Sequence, residues 1–146
     1  MAVSTAPFIL VVEDDPGHSA LIRAAFRKRL HRAKLHFVIS GWEARAYLGR
    51  QSPYHDWERY PTPSLIVIDL GQPDSHAFEA IEWMAEWEWL ARIPVIAFSS
   101  EDPEHEERIC GLGVRRYMPK PDDYGELVAT VLEELGLAPQ MVSPEG

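Results

Sequence analysis

The stretch FILVVEDDPG (residues 8–17) joins five consecutive apolar residues to three consecutive acids. Residues 8–12 are apolar at every position, which is typical of a strand buried on both faces of a parallel sheet. Glu13, Asp14 and Asp15 follow directly. Neighbouring carboxylates raise one another's pKa unless a cation or hydrogen-bond donors compensate. The stretch therefore predicts a buried strand that ends at an acidic site with a function.

The composition of the 146-residue chain, with 46% hydrophobic and 25% charged residues, is that of one globular domain. A net charge of −9 argues against a nucleic-acid-binding surface, which needs positive potential. The single cysteine, Cys110, excludes an intramolecular disulfide and fits a reducing compartment. Residues 1–7 lack the pattern of a signal peptide, and no apolar run approaches the roughly 20 residues that span a bilayer. We therefore expect a cytoplasmic protein that binds neither nucleic acid nor membrane.

Strand and helix patterns alternate along the rest of the chain. The predicted strands after the first are residues 35–39, 64–69, 93–100 and 114–121, and the predicted helices are 16–30, 41–48, 78–91, 103–112 and 124–135. Asp15 is a candidate N-cap for the first helix, with Pro16 in its first turn. Residues 50–63 are polar and rich in proline and aromatic residues, which predicts a long loop. Five alternating strands and helices predict an α/β fold, a doubly wound five-stranded parallel sheet.

Polar residues stand at the ends of four of the five strands. They are the pair Glu13 and Asp14, then Asp69, the pair Ser99 and Ser100, and Lys120. Since function in such sheets gathers outside the carboxyl ends of the strands, we expect these side chains to converge on one edge. Several carboxylates together suit a hard cation such as Mg²⁺, and a strand-end aspartate can accept a phosphoryl group. A lysine and a hydroxyl can then hold the phosphoryl oxygens.

Four motifs, in this order and at these separations, resemble the receiver domains of two-component response regulators, the CheY-like family. They are LVVEDDP (residues 10–16), LIVIDLGQPD (65–74), PVIAFSSE (94–101) and YMPKP (117–121). The resemblance covers residues 8–136 as one receiver domain and leaves residues 1–7 and 137–146 as flexible tails. It implies the strand order 2-1-3-4-5.

The resemblance also implies a metal site at the phosphoacceptor. Asp69 matches the phosphoacceptor, Asp14 the acid that binds Mg²⁺ directly, and Glu13 the acid that binds it through water. The backbone carbonyl of Gly71 completes the protein ligands. Asp15 is expected to cap the helix rather than to bind metal.

Further positions match the switch of the family. Lys120 matches the phosphoryl-binding lysine, and Ser99, with Ser100 beside it, the switch hydroxyl. Tyr117 matches the aromatic residue that changes rotamer on phosphorylation. Two departures are that Gly71 lacks the side chain that tunes phosphoryl lifetime in many relatives, and that Ala77 stands where the family often has glycine.

These matches imply a single-domain response regulator that accepts a phosphoryl group from a sensor histidine kinase and signals through protein–protein contacts. Such a protein assists its own phosphotransfer and dephosphorylation but is not a conventional enzyme. The loop at 50–63 resembles that of the small receivers that partner bacterial phytochromes, which implies a bacteriophytochrome as the kinase. Trp83, Trp87 and Trp89 cannot all face one core, so one or two are expected on the surface, where they would mark a partner or homodimer interface.

Three other interpretations remain open. The first is a degenerate receiver that acts as a phosphorylation-independent interaction or dimerisation module. The second is an aspartate-nucleophile phosphatase, although that class needs a second aspartate where this chain has Gly71. The third is a flavodoxin-like nucleotide binder, although three acids after the first strand would repel phosphate.

Overall fold

The computed structural model describes residues 6–71, 76–99, 103–120 and 123–137. Within these ranges the strands are β1 Phe8–Val12, β2 Lys34–Val38, β3 Leu65–Asp69, β4 Val95–Ser99 and β5 Arg116–Pro119. The helices are α1 Pro16–Arg29, α2 Gly41–Leu48, α3 Ala77–Ala85, α4 Glu88–Ala91, α5 Pro103–Cys110 and α6 Gly125–Leu135. None of these helices is long and apolar enough to cross a membrane.

The strands form one parallel sheet in the order β2-β1-β3-β4-β5. The predicted fold class and strand order are therefore confirmed. Strand order reverses between β1 and β3, because the chain first adds β2 on one side of β1 and then adds the other strands on the opposite side. This reversal places the ends of β1 and β3 side by side at the edge where ligands bind in such sheets.

The central strands are buried on both faces, as the continuous apolar runs predict. In β1, Leu10 and Val12 belong to the core packed under α2 and α3, whereas Ile9 and Val11 belong to the core under α1 and α6. Side chains that alternate between two cores require apolar residues at every position. The alternation explains why the run at 8–12 contains no polar residue.

Asp15 caps α1 as predicted, whereas one apolar residue of α1 is not buried as expected. The Asp15 carboxylate accepts hydrogen bonds from the backbone N–H groups of Gly17 (2.7 Å) and His18 (3.1 Å), so Asp15 is the N-cap. Ile22 and Phe26 are buried, but Leu21, expected on the same stripe, is 57% exposed. Leu21 lies about 100° around the helix from Ile22, beyond the edge of the sheet-facing side.

The single helix predicted over 78–91 was wrong, because the structure divides it into α3 and α4. Trp87 between them is extended, with φ −115° and ψ 122°. An unbroken helix that buries Met84 would also bury Glu88, four residues later, and would turn Leu90 away from the core. The break at Trp87 changes which side of the following helix faces the core, so that Leu90 is buried and Glu88 is exposed.

The three tryptophans of this segment differ in burial, as expected. Trp83 packs against the core of α2 and α3, whereas Trp87 and Trp89 are exposed. Exposure agrees with the prediction that not all three can be buried. It does not identify a partner, so the dimer surface stays a prediction.

The segment 50–63 is a loop of turns, as predicted, and it packs against α2. Tyr54 and Tyr60 of the loop meet Tyr47 of α2 with ring centroids 5.0 and 5.9 Å away, and the Tyr47 hydroxyl donates to the Pro61 carbonyl at 2.7 Å. The His36 ring of β2 lies against all three tyrosines. The aromatic residues of the loop therefore add to the core that α2 and α3 cover.

The domain bounds and the flexible tails predicted for residues 1–7 and 137–146 stay predictions, because residues 1–5 and 138–146 lie outside the described residues. Pro7 accepts a backbone hydrogen bond from Lys34 at 2.9 Å, and Leu137 packs against the core of α1 and α6. Both residues belong to the packed part of the chain.

Candidate functional site

The candidate site lies at the carboxyl edge of the sheet. Asp69 is the last residue of β3 and Ser99 the last of β4, while Glu13 follows β1 and Lys120 follows β5. Because the strands are parallel, all these positions fall on the same edge. The structure brings Glu13, Asp69 and Lys120 into one cluster.

Asp69 is the centre of this cluster. Its side chain is buried, with only 4% of the residue exposed. Its Oδ1 atom accepts a hydrogen bond from the backbone N–H of Gly71 at 2.8 Å, and its Oδ2 atom accepts one from Lys120 Nζ at 3.2 Å. A Cβ atom at position 71 would lie 3.0 Å from Asp69 Oδ1. Glycine at position 71 therefore allows the backbone to approach the carboxylate closely.

Glu13 is a second buried carboxyl group, with 3% of the residue exposed. Its Oε2 atom accepts a hydrogen bond from the Asp15 N–H at 3.3 Å. Its Oε1 atom is buried without a hydrogen-bond partner among the described residues. Burial and the neighbouring charge of Asp69 raise the pKa of Glu13 to about 8, against smaller opposing effects of the Asp15 N–H and of Lys120. Glu13 is therefore repelled by Asp69 of β3, whereas the sequence predicted repulsion within the run Glu13, Asp14 and Asp15.

His18 is a site residue that the sequence reasoning missed. Its Nδ1 atom lies 3.0 Å from Lys120 Nζ and 3.5 Å from Glu13 Oε1. Ligand atoms of Glu13, His18 and Asp69 lie within 4.8 Å of one another. The sequence feature that could have identified His18 is its position in the first turn of α1. This helix starts directly after the acids, so its first turn lies beside the same edge of the sheet.

Two of the predicted metal ligands, Asp14 and the carbonyl of Gly71, are not among the ligand atoms that the structure brings together. Asp14 is exposed and is not part of the group formed by Glu13, His18 and Asp69. Gly71 lies beside Asp69, but its described contact is through its N–H group. The ligand roles predicted for Asp14 and for the carbonyl of Gly71 stay predictions.

The predicted switch residues contact each other across β4 and β5. The Ser99 side chain is fully buried, and its Oγ atom lies 2.8 Å from the Tyr117 hydroxyl. The Lys120 N–H donates to the Ser99 carbonyl at 2.6 Å, which ties the end of β5 to β4. Ser100, the second candidate hydroxyl, lies outside the described residues. The site thus contains a fixed carboxylate, an ammonium group and a hydroxyl pair along one edge.

Comparison with known proteins gives two informative relatives, although no family model matches the chain. The polar-differentiation response regulator DivK of Brucella ovis is 33% identical over 82 residues, which cover 56% of this chain and 67% of DivK. The response regulator Rcp1 of Synechocystis is 30% identical over 96 residues, 66% of this chain and 63% of Rcp1.

Solved structures agree with these relatives. The phosphorylated cyanobacterial phytochrome response regulator RcpA superimposes with a TM-score of 0.75 at 26% identity, over 88% of this chain and 91% of RcpA. The Mn²⁺-bound form of Rcp1 gives a TM-score of 0.74 at 27% identity, over 90% of this chain and 94% of that structure. Both fold and sequence are therefore similar to those of response regulators.

Proposed function

Because the chain belongs to the family of response regulator receiver domains, we propose that it is a phosphorylation-switched signalling module with Asp69 as phosphoacceptor. The observation that carries the proposal is the state of the Asp69 carboxylate, which is buried, held by the Gly71 N–H and in contact with Lys120 Nζ. A carboxylate held at a strand end, beside an ammonium group, can attack phosphorus without first having to be ordered.

The proposed reaction is transfer of a phosphoryl group from a phosphohistidine of a sensor kinase. A carboxylate oxygen of Asp69 forms the new P–O bond, the P–N bond of the phosphohistidine breaks, and the leaving imidazole takes up a proton. Lys120 Nζ, now bound to Asp69 Oδ2, is placed to hold an oxygen of the transferred group. The protein takes part in its own modification and is not a conventional enzyme.

The residues of the site fit a divalent cation such as Mg²⁺. Glu13 Oε1 is a buried oxygen without a hydrogen-bond partner among the described residues, and Glu13 has its pKa raised by burial and by Asp69. A bound cation would remove this cost. Glu13, Asp14, Asp69 and the carbonyl of Gly71 would hold it, and it would neutralise charge on the carboxylates and the phosphoryl oxygens. The structure of Rcp1 with Mn²⁺ supports a divalent cation in a related protein.

The Ser99–Tyr117 pair is the proposed switch. A phosphoryl group on Asp69 offers the Ser99 hydroxyl a charged acceptor, and a hydrogen bond to a charged group is stronger than one between two neutral hydroxyls. Ser99 would then release Tyr117, whose ring is free to move because it is only half buried on the edge strand β5. A partner protein would recognise the altered surface of β5 and its neighbouring helices.

The proposed phosphodonor is a sensor histidine kinase of the bacteriophytochrome class. The phytochrome response regulator RcpA, which matches this chain over 88% of its length, supports this partner. The loop at 50–63, whose sequence resembles that of phytochrome-associated receivers, adds to this support.

The test is intact mass after incubation with Mg²⁺ and acetyl phosphate. We expect the parent protein to gain one phosphoryl group, the gain to disappear in a chelator, and Asp69→Asn to gain none. Asp56→Asn, a matched change in the exposed loop, should label like the parent. Absence of labelling in the folded parent would overturn the proposal and favour a degenerate receiver that acts only through binding.

A further inference from the structure

We propose that His18 is a nitrogen ligand of the cation site, which makes the site selective for first-row transition ions over Mg²⁺. The inference rests on the proposed function in that it concerns the same site, and it adds a ligand that the family motifs do not include. Its basis is the convergence of the His18 ring with the carboxylates of Glu13 and Asp69, with Nδ1 lying 3.5 Å from Glu13 Oε1.

The three donors place two carboxylates and a ring nitrogen close together. A ring nitrogen of His18, one oxygen of Glu13 and one oxygen of Asp69 lie within 4.8 Å of one another. Glu13 Oε1, 3.5 Å from His18 Nδ1, is buried and has no hydrogen-bond partner among the described residues. A buried carboxylate oxygen without a donor is costly, and a metal ion bound at this point would stabilise it.

The ammonium group of Lys120 places a positive charge between His18 and Asp69. Lys120 Nζ lies 3.0 Å from His18 Nδ1 and 3.2 Å from Asp69 Oδ2, so one cation bridges a ring nitrogen and a carboxylate. An ammonium group can only donate hydrogen bonds, so His18 Nδ1 accepts, and its lone pair points into the site. That lone pair is the one a metal ion would use.

The helix cap fixes the backbone of His18 beside the site. The N–H of His18 donates to Asp15 Oδ1 at 3.1 Å as part of the helix cap, so the residue belongs to the rigid first turn of α1. The side chain is 36% exposed, which leaves the ring open to solvent on one side. A metal ion can therefore reach Nδ1 without unfolding of the helix.

The preference of each metal ion for nitrogen or oxygen ligands determines which ions His18 binds more tightly. Mg²⁺ prefers oxygen donors and retains water, so an imidazole adds little to its binding. Imidazole suits the later first-row ions, and affinity for a mixed nitrogen and oxygen site rises from Mn²⁺ to Co²⁺ and beyond. Loss of the ring should therefore weaken Co²⁺ binding and leave Mg²⁺ binding unchanged.

The first test compares metal affinities of the full chain and of His18→Asn. Co²⁺ binding is followed by its visible absorption, and Mg²⁺ binding by competition against Co²⁺. We expect His18→Asn to lower Co²⁺ affinity about tenfold or more, with Mg²⁺ affinity changed by less than about twofold. The matched control His31→Asn, an exposed histidine after α1, should bind both ions like the parent. Equal losses for the two ions, or no loss of Co²⁺ affinity, would overturn the inference.

The second test detects the bound nitrogen directly by spectroscopy. Pulsed electron paramagnetic resonance of Mn²⁺ bound to the parent protein should show coupling to a ¹⁴N nucleus, and the coupling should vanish in His18→Asn. Its absence from the parent would also overturn the inference.

Labelling of the same samples by acetyl phosphate tests the phosphoacceptor role of Asp69 separately from the ligand role of His18. Labelling of Asp69 without ¹⁴N coupling would leave the proposed function intact and remove His18 from the ligand set. Nitrogen coupling without labelling would support the ligand and refute the phosphoacceptor.

Discussion

The hydroxyl groups of Ser99 and Tyr117 lie 2.8 Å apart, at the point where β4 ends beside β5. Ser99 is fully buried and Tyr117 is partly exposed, so the bond joins the interior of the site to the surface of an edge strand. Under the proposed function, a phosphoryl group on Asp69 that attracts Ser99 would alter this surface.

A double-mutant cycle on this pair should give a measurable coupling energy. We expect Ser99→Ala and Tyr117→Phe each to lower the free energy of unfolding by about 1 kcal/mol, because each removes one hydroxyl from the bond. The double variant should lose about 0.5 to 1 kcal/mol less than the sum, since the bond can be lost only once. Urea unfolding of the four proteins measures this. A second cycle that pairs Ser99→Ala with Tyr60→Phe, in the loop at 50–63, should be additive; additivity of the first cycle would contradict the contact.

The raised pKa of Glu13 predicts that the metal-free protein loses stability as the pH rises. In the unfolded chain this carboxyl group ionises near its ordinary value of 4.5, whereas in the folded protein its pKa is about 8. Between these values the folded state holds a proton that the unfolded state has released, so stability falls with increasing pH. Glu13→Gln removes this titration and should melt at a higher temperature than the parent at pH 8 in a chelator.

The comparison is made by thermal unfolding at pH 5 and pH 8. Glu58→Gln, in the exposed loop, serves as the control and should follow the parent. Excess Mg²⁺ at pH 8 should raise the melting temperature of the parent more than that of Glu13→Gln. A parent and a Glu13→Gln variant with the same pH dependence in chelator would refute the raised pKa of Glu13.

Gly41→Ala should disrupt the contact between α2 and the segment that leads into α3. A Cβ atom at Gly41 would lie 2.0 Å from the backbone carbonyl oxygen of His76, a distance that requires the backbone to move. We expect a loss of more than about 2 kcal/mol in the free energy of unfolding, as for other overpacked positions. At Gly111, no atom of the described residues other than its chain neighbours lies within 4 Å of an added Cβ, so Gly111→Ala should change stability by less than about 0.5 kcal/mol. Similar values for the two variants would show that this close approach is absent.

His36→Phe should make the protein more resistant to acid. Burial among the tyrosines lowers the pKa of His36 below its ordinary 6.5, and the ring nitrogen Nε2 has no hydrogen-bond partner among the described residues. Below pH 6.5 the unfolded chain therefore takes up a proton more readily than the folded protein, and stability is lost as the pH falls. Phenylalanine keeps an aromatic ring against Tyr47 and removes the titration.

Urea midpoints at pH 5 and pH 7.5 would measure this effect. The fall in stability from pH 7.5 to pH 5 should be smaller for His36→Phe than for the parent. His55→Phe, in the exposed loop, should leave the pH dependence as in the parent. An unchanged difference between the two pH values in His36→Phe would show that folding does not lower the pKa of His36.

The elements predicted correctly are those whose sequence pattern depends on short-range geometry. The run at 8–12 is apolar at every position because its side chains alternate between two cores, and that requirement is visible without the fold. The cap at Asp15 is equally local, since a cap needs only the next three residues. The break at Trp87 could not be read in the same way, because it depends on which side of the chain the sheet covers.

The sequence by itself determined the parallel sheet, the edge at which polar side chains gather and the candidate phosphoacceptor Asp69, because strand periodicity and strand-end chemistry are properties of contiguous residues. Tertiary structure decided which side chains meet at that edge. It buries Glu13 against Asp69, leaves Asp14 exposed and adds His18. Lys120 and His18 are separated by 102 positions in the chain, and their contact at 3.0 Å arises only when β5 and α1 pack on the same sheet. Contacts of that kind depend on how whole elements are oriented, which no local pattern encodes.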